Sequence, residues 1–333
     1  MQDGKKLAYY FVKYANSLQA VIYTKTGNYF HDNNFRPVRF VYLCPLCAKN
    51  TISYTPDGLR FLEPFTLDHF PPSNVEGKNT VLVCNRCNST SGHDFDHALK
   101  TWLNDKCAAL WIPGTTVPVK IKLDNTKGNY KGNLIVNGSY SLKYDFSSKY
   151  ILLDEGLRNV AKGEPAIQTL TFPQISNNLT YKAILKAAYL YAFSIWGYDF
   201  VISYTGKKIR DILFMDEKHI LSNFGVFFHM KLPFPPIGLC YVYKPVELQS
   251  FLINLRLINP DVKFECSASV LIPGPEQKGW DGLSSYQAII NKKASFQNAL
   301  IKLPENELCD NNYFPYTRIW NNRHQFRIQG EAL

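Results

Sequence analysis

The sequence predicts an α+β protein, in which a zinc-stapled N-terminal module precedes a domain of mixed antiparallel sheet and helix. Two Cys-x-x-Cys pairs lie in the N-terminal third of the chain, and the two-residue spacer within each pair is typical of metal-stapled modules. Apolar and polar residues alternate over 117–147, as in an antiparallel meander. Apolar residues recur with a helical period over 180–196, which predicts the strongest helix outside the metal module.

Length and composition indicate two domains and exclude disorder. The chain has 333 residues, with 46% hydrophobic and only 19% charged residues. The boundary is expected after Trp111, where segment 111–118 contains two prolines and a glycine. Residues 1–111 would hold the metal module with an N-terminal packing segment. Residues 112–333 would form an α+β domain serving target recognition, sensing or dimerisation.

Neither a membrane span nor a signal peptide is predicted. No apolar run reaches the roughly 20 residues that a membrane helix needs. The N-terminus lacks a clean small-residue cleavage site. We therefore expect a cytoplasmic protein. Its net charge of +10 suits a polyanionic partner such as nucleic acid, but it is equally ordinary for a soluble protein.

Other segments have weaker signals. A short amphipathic helix is expected over 5–17 and strands over 19–43. Gly197 is expected to cap the helix at 180–196. Four short strands and one helix are expected in the C-terminal half, the strands at 198–204, 226–232, 239–244 and 263–272 and the helix near 245–257.

The two cysteine pairs are expected to bind a structural zinc ion. They are Cys44 with Cys47 and Cys84 with Cys87, separated by 36 residues. A two-residue spacer lets one turn donate two thiolates to a tetrahedral ion. A closed four-cysteine site has no open position for water, so this zinc would not be catalytic. The alternatives are redox-active or incidental cysteines. The other cysteines are expected to be reduced thiols, at Cys107, Cys240, Cys266 and Cys309.

A candidate active site lies between the cysteine pairs. Asp68 and His69 follow an apolar stretch and precede a Pro-Pro turn. Phosphodiester hydrolysis needs an activated water and a Lewis acid on the phosphate. A histidine can act as the base, and carboxylate and amide oxygens are the ligands that Mg²⁺ prefers. The dipeptide therefore suits metal-assisted hydrolysis.

Residues 44–103 resemble the HNH endonucleases, also called the His-Me finger or ββα-metal superfamily, in their zinc-binding form. The family pattern has Asp-His at the end of a first strand, matched by Asp68 and His69. An Asn before the second strand is matched by Asn79. A His or Asn at the start of the helix is matched by Asn88, which makes this an HNN variant. The resemblance covers about 60 of the 333 residues.

The resemblance implies a fold, a reaction and roles for these residues. His69 would be the general base, Asp68 and Asn88 would bind a catalytic Mg²⁺ or Mn²⁺ ion, and Asn79 would orient His69. The substrate would be DNA, cut to leave a 5′-phosphate and a 3′-hydroxyl. Antiphage defence or restriction is the setting suggested by standalone HNH proteins with a large additional domain. A homodimer or an accessory protein could assemble through 112–333.

The helix expected after Asn88 has an apolar stripe and a polar face. The stripe consists of Phe95, Ala98, Leu99, Trp102 and Leu103. His93 and His97 share another face at a spacing that can chelate a metal, and His93 is a candidate ligand. Some HNH enzymes have a second ligand four residues after the first; that position is Gly92. Lys78 and Arg86 are candidate phosphate contacts, and a solvated polar face is the alternative for all four side chains. The remaining histidines are interpreted as structural, at His31, His219, His229 and His324.

Two classes of function fit these observations. The first is a metal-dependent DNA endonuclease, with an RNA-directed nuclease as a variant. The second is a non-catalytic zinc-finger protein that binds nucleic acid. The Asp68-His69 pair favours the enzyme, because binding alone does not need a base beside a ligand for a hard metal ion.

Overall fold

Small antiparallel sheets and helices alternate along the N-terminal third of the chain. The computed structural model describes residues 8–15, 18, 41–55, 58–123, 129–144, 167–172, 176–214, 225–244, 250–274, 281 and 297–300. The first elements are α1 (8–15), β1 (Val41–Leu43), β2 (Thr51–Thr55), β3 (Gly58–Phe61), β4 (Phe65–Phe70), a 3-10 turn (Ser73–Val75), β5 (Asn79–Cys84), α2 (Asn85–Ser91), a π turn (Gly92–Asp96) and α3 (His97–Ala109). Strands β1, β2 and β3 form one sheet, and β4 and β5 form a hairpin.

Along the rest of the described chain, a helical pair lies between the strands of two larger antiparallel sheets. The elements are β6 (Thr116–Leu123), β7 (Asn129–Val136), β8 (Tyr140–Tyr144), β9 (Ile167–Thr171), α4 (Asn177–Val201), α5 (Tyr204–Phe214), β10 (Val226–His229), β11 (Gly238–Lys244), β12 (Ser250–Asn259), β13 (Phe264–Pro273) and β14 (Gln297–Leu300). The sheet orders are β8-β7-β6-β9 and β10-β13-β12-β11-β14. The expected mixed α+β class is therefore confirmed.

The β4–β5 hairpin and the helix after it form a continuous ββα unit. The ladder runs from Phe65 opposite Cys84 to Phe70 opposite Asn79. The connecting turn requires glycine at 77, because a Cβ there would lie 1.5 Å from the carbonyl oxygen of Pro71. Helix α2 continues through the π turn into α3. The predicted apolar stripe is confirmed, since all five of its members are buried.

Helix α4 lies at the centre of the described residues and is buried on nearly every side. Phe193 stacks on Tyr14 of α1 at 4.4 Å between ring centroids. The hydroxyl of Tyr198 donates to the carbonyl oxygen of Leu43 in β1. One hydrophobic cluster thus contains residues from both sides of position 111, and the boundary expected there remains a prediction.

Two secondary-structure predictions in the C-terminal half were wrong. The segment 198–204 is not a strand: α4 continues to Val201 and α5 begins at Tyr204. Gly197 has non-helical φ 57° and ψ −142°, so the first helical segment does break at the expected glycine, and a second segment follows across this kink to Val201. The helix expected near 245–257 is contradicted by β12. This strand pairs with both β11 and β13 and is buried almost throughout, so no polar face distinguished strand from helix.

Several other expectations are confirmed. The helix expected over 5–17 is present at 8–15, and β1 ends the strand-like region 19–43, most of which lies outside the described residues. The meander over 117–147 is present as β6, β7 and β8, with Gly138 at φ 74° in its second turn. The strands expected at 226–232, 239–244 and 263–272 correspond to β10, β11 and β13. Across the described helices, none combines the length and the apolar character needed to cross a membrane.

Candidate metal centre and candidate active site

Four cysteine sulfur atoms come together at the open end of the β4–β5 hairpin, those of Cys44, Cys47, Cys84 and Cys87. All four Sγ atoms lie within 4.8 Å of one another. Tetrahedral Zn²⁺ with Zn–S bonds of ~2.3 Å holds its sulfur ligands roughly 3.8 Å apart, and the Sγ atoms of Cys47 and Cys84 are 3.9 Å apart. The cluster can therefore hold a metal ion such as zinc. In the described part of the chain, it is the one such group of three or more His, Cys, Asp or Glu residues.

Two different turns present the cysteine pairs. The first follows β1, where the backbone N–H of Ala48 donates to the carbonyl oxygen of Cys44 at 2.8 Å. The second joins a strand to a helix: Cys84 ends β5, and Cys87 lies in the first turn of α2. The backbone N–H of Cys84 points at the Sγ of Cys44 across 3.4 Å. Each turn thus supplies two sulfur atoms, as the two-residue spacing predicted.

The cysteine thiols differ in acidity because they share hydrogen bonds. Burial raises the pKa of Cys44 well above its usual range. Hydrogen bonding with the Cys44 thiol lowers the pKa of Cys47 and brings that of Cys84 to about 6. A lowered thiol pKa favours the thiolate, the form that binds metal.

Glu63 joins the two cysteine-bearing turns and was missed in the sequence. Its carboxylate accepts from the side-chain amide of Asn50, just after the first pair. It also accepts from the backbone N–H of Arg86 in the first turn of α2, at 2.9 Å. A carboxylate at a helix N-terminus is favourable, because the first backbone N–H groups lack partners within the helix. Glu63 therefore fixes the second turn relative to the first.

Asp68 is buried against a lysine of α4. It is 3% exposed, and Lys186 Nζ lies 2.9 Å from its Oδ2 and 3.1 Å from its Oδ1. The same ammonium lies 3.4 Å from Oδ2 of Asp96, in the π turn. One cation therefore contacts two carboxylates in a space with little water. Neither Lys186 nor Asp96 was identified from the sequence.

Burial dominates the electrostatics of this carboxylate pair. It raises the pKa of Asp68, although Lys186 acts in the opposite direction. Burial also raises the pKa of Asp96 to about 6, again against the effect of Lys186. When both are ionised, the cluster with Lys186 has one excess negative charge. Apart from the Lys186 ammonium at 2.9 Å, the Oδ2 atom of Asp68 has no polar partner among the described residues.

Asn88 reaches the same face of β4 as Asp68. Its Nδ2 donates to Oγ1 of Thr66 at 2.8 Å. Thr66 precedes Asp68 by two residues in β4, so their side chains share one face of the strand. The carbonyl oxygen of the Asn88 amide remains as an acceptor. The structure thus brings two of the predicted metal ligands to one side of the hairpin.

His69 and Asn79 occupy neighbouring rungs of the hairpin. Asp68 and His69 are the fourth and fifth residues of the six-residue strand β4, and Asn79 begins β5 opposite Phe70. Strand alternation directs the His69 side chain away from the Asp68 face. His69 is partly exposed, which leaves its ring accessible to water. The side chain of Asn79 lies outside the described residues.

The two helix histidines do not join this cluster. His93 is 90% exposed and contacts Asp94 at 2.9 Å, and His97 is also exposed. Gly92 lies nearer than either histidine to the buried carboxylates, because a Cβ added there would be 3.9 Å from Oδ2 of Asp96. Asp96 follows Asn88 by two helical turns, a spacing that could have identified it. Lys78 and Arg86 are exposed, as phosphate contacts or solvated cations would be.

Lys186 determines whether a divalent cation fits beside Asp68. Carboxylate and amide oxygens are suitable ligands for Mg²⁺. However, the ammonium of Lys186 contacts both oxygens of the Asp68 carboxylate, and a second cation cannot bind there while it remains. As the side chains stand, the residues fit zinc at the cysteines but not a divalent ion at Asp68.

Comparison with family models, with curated proteins and with solved structures finds no match to this chain.

Proposed function

We propose that this protein is a nuclease of the HNH type that hydrolyses phosphodiester bonds in DNA. The hydrogen bond from Asn88 to Thr66 is the observation that carries the proposal. It docks the first turn of α2 onto the face of β4 that holds Asp68. The two strands of the hairpin and the helix after them follow the order expected for a ββα-metal finger, and the cysteine cluster lies at the open end of the hairpin.

Four residues of the chain would have separate roles in this reaction. His69, partly exposed on the hairpin, takes a proton from the attacking water. Asn79 at the start of β5 would orient His69, as the resemblance implies. Asp68 and Asn88 would provide oxygen ligands, and cleavage requires the end of β4 to turn so that His69 and these oxygens reach the same phosphate. Once Lys186 has left Asp68, Asp68 and Asn88 would hold a Mg²⁺ or Mn²⁺ ion, which would supply a Lewis acid for the phosphate and the leaving oxygen.

The buried Lys186–Asp68 contact favours a second candidate function. In a non-catalytic module, Asp68 would be a structural residue that ties β4 to α4. The zinc-stapled unit would then bind nucleic acid through its exposed cations, aided by the net charge of +10. The two candidates differ in one respect: only the first needs His69.

Cleavage of plasmid DNA by the purified, zinc-loaded protein distinguishes the candidates. With Mg²⁺ or Mn²⁺, the wild type should nick or linearise the plasmid. His69→Ala should reduce the rate by about 10²–10⁴-fold, the usual contribution of a general base. His93→Ala is the matched control, because that exposed histidine contacts only Asp94 among the described residues, and it should cleave normally.

Three outcomes would contradict the proposal. Equal cleavage by His69→Ala and the wild type removes His69 as the base. DNA binding without cleavage in either divalent metal supports the binding module. Preferential cleavage of single-stranded or structured RNA would identify RNA, and not DNA, as the substrate. Antiphage defence, as the biological setting, would be supported if expression in a bacterial host reduced phage plating and His69→Ala did not.

A further inference from the structure

A basic cavity lies on the far side of α2 from Asn88. It has a volume of about 770 Å³ and is formed by the first cysteine turn, α2 and α5. Arg86 and Thr90 of α2 line it, one turn apart. On a helix of 3.6 residues per turn, these positions face away from Asn88. The cavity is therefore separate from the face of β4 that holds Asp68.

Cations outnumber acidic residues in the lining of this cavity. Four cations and one acidic residue line it beside Cys47 and Cys87 of the metal centre: Lys49, Arg86, Lys207, Arg210 and Asp211. Among the described residues, none of the four cations has an ion-pair partner within 4.0 Å. Unpaired cations that converge on a concave space are a feature of anion-binding sites.

The negative charge of a zinc-loaded cysteine cluster would balance only part of the positive charge in the cavity lining. Four thiolates around Zn²⁺ would leave two negative charges, and Lys49 and Arg86 lie in the two cysteine-bearing turns. Lys207 and Arg210 come from α5. With the cluster and Asp211 both counted, one positive charge remains in excess, and the cations of α5 have no counterpart in the metal centre.

Arg210 is held in place before any ligand arrives. Its guanidinium donates to the hydroxyl of Tyr189 at 3.0 Å and to the carbonyl oxygen of Val201. That hydroxyl donates in turn to the carbonyl oxygen of Pro45, in the first cysteine turn. Burial raises the pKa of Tyr189 to about 12, so the hydroxyl keeps its proton at neutral pH. The cavity wall is thus pre-organised, which favours binding.

An aromatic ring stands beside these cations. Lys207, Arg210, Asp211 and Phe214 follow one another at i, i+3, i+4 and i+7 along α5, so they share one face. Phe214 is 45% exposed, although aromatic side chains of this size are usually buried. A ring beside a basic cavity provides a stacking surface for a planar base.

We propose that this cavity binds a nucleoside phosphate. Lys49, Arg86 and Lys207 would contact the phosphate oxygens, with Arg210 behind them, and Phe214 would stack on the base. The volume is within the ~300–1,000 Å³ range of small-ligand sites. The ligand is a free nucleotide or the end of a nucleic-acid strand, which share this chemistry. The site does not depend on the proposed nuclease activity.

Titration of the full-length, zinc-loaded protein tests this site. The probes are ATP, adenosine, inorganic tripolyphosphate and a short oligothymidylate. Isothermal titration calorimetry measures the binding of each probe in buffer without divalent metal. ATP should bind, and adenosine should bind far more weakly. Oligothymidylate that competes with ATP identifies a strand end as the ligand, whereas ATP binding without competition identifies a free nucleotide.

Three substitutions locate the binding. Lys207→Gln should weaken ATP binding about tenfold, because a charge-assisted hydrogen bond to phosphate is lost. Phe214→Ala should weaken ATP about tenfold through loss of stacking, but should leave tripolyphosphate unchanged. Lys208→Gln is the matched control, because Lys208 lies over the Tyr204 ring and does not line the cavity. It should bind ATP like the wild type.

Several results would overturn the site. Absence of binding by every probe, or an equal loss in Lys207→Gln and Lys208→Gln, rejects it. Tripolyphosphate that binds as tightly as ATP, with no effect of Phe214→Ala, rejects the nucleoside half of the proposal. His69→Ala should retain ATP binding, so failure of the nuclease and failure of this site are separate results.

Discussion

The ammonium nitrogen of Lys186 lies 2.9 Å from Oδ2 of Asp68, and both side chains are almost fully buried. The two residues are 118 positions apart in the sequence. Their contact joins the middle of α4 to the strand that holds the motif residues. A buried charge that loses its partner is left without compensation from water. The pair therefore couples the stability of the ββα unit to α4.

Replacement of Lys186 by methionine should destabilise the fold. Lys186→Met leaves the Asp68 carboxylate buried and unpaired, so the free energy of unfolding should fall by about 3–5 kcal/mol. Denaturation in urea measures this change. Asp68→Asn combined with Lys186→Met removes both charges and should recover much of the loss. A change below ~0.5 kcal/mol in Lys186→Met, as at an exposed site, would contradict this energetic role.

The same substitution should also affect the binding of divalent cations. In Lys186→Met, the ammonium that contacts Asp68 and Asp96 is gone, so Mn²⁺ should bind more tightly than in the wild type. Titration of Mn²⁺, followed by the electron paramagnetic resonance of the free ion, measures this affinity. Asp68→Asn in the Lys186→Met background should lose the gain. Equal Mn²⁺ affinity in Lys186→Met and the wild type would mean that Lys186 does not compete with the cation.

The carboxylate of Asp96 should make stability depend on pH. Burial raises its pKa from 3.8 to about 6. Between these values the folded state holds more protons than the unfolded state, so the contribution of Asp96 to stability falls as pH rises through this window. The raised pKa of Asp68 acts in the same direction.

Asp96→Asn removes one of these titrations. Relative to the wild type, its free energy of unfolding should rise as pH increases from about 4 to about 6, by at most roughly 1.4 kcal/mol per pH unit. Above this window the difference should level off. Urea denaturation at a series of pH values measures the difference. A constant difference across the window would show that Asp96 does not titrate there.

Metal analysis should find one zinc ion per chain, bound at the cysteine cluster. Cys84→Ser removes one of the four ligands, so it should lose the zinc and lower the melting temperature, since structural zinc contributes directly to folding. Cys240→Ser is the matched control, because Cys240 is buried outside the cluster. It should keep its zinc. Retention of a full zinc equivalent by Cys84→Ser would contradict the assignment.

Substitutions at the two ends of the Asn88–Thr66 hydrogen bond distinguish a structural role of Asn88 from a catalytic one. Thr66→Val and Asn88→Ala should each cost about 1 kcal/mol of stability, and a double-mutant cycle should show that the two are coupled. If Asn88 also holds the catalytic ion, Asn88→Ala should lose cleavage while Thr66→Val keeps most of it. Equal cleavage losses in the two variants would restrict Asn88 to a docking role.

Local spacing predicted the parts of the site that are close in sequence. The cysteine pairs, the Asp68-His69 dipeptide and the stripe that includes Leu99 all depend on turns or helical repeats of a few residues. Glu63 is the exception among near neighbours: it lies outside every motif, and its role appears only when its two donors are known.

Lys186 could not be predicted in this way. It lies in a helix whose apolar residues surround it, where a lysine is expected to reach solvent, and its partner Asp68 is brought near only by tertiary packing. Strand β12 was misjudged for a related reason. Side chains on both of its faces are buried, and that burial removes the period by which a sequence distinguishes strand from helix.

The hydroxyl of Tyr198 acts on β1 as a neighbouring strand would. It accepts from the backbone N–H of Leu43 at 2.8 Å and donates to the carbonyl oxygen of the same residue. Among the described strands, β1 is at the edge of its sheet, and open edges recruit strands from other molecules. With both backbone groups of Leu43 engaged by a side chain, this edge offers no free pair at Leu43 for an incoming strand. Tyr198 thereby occupies the backbone groups that strand addition at Leu43 would need.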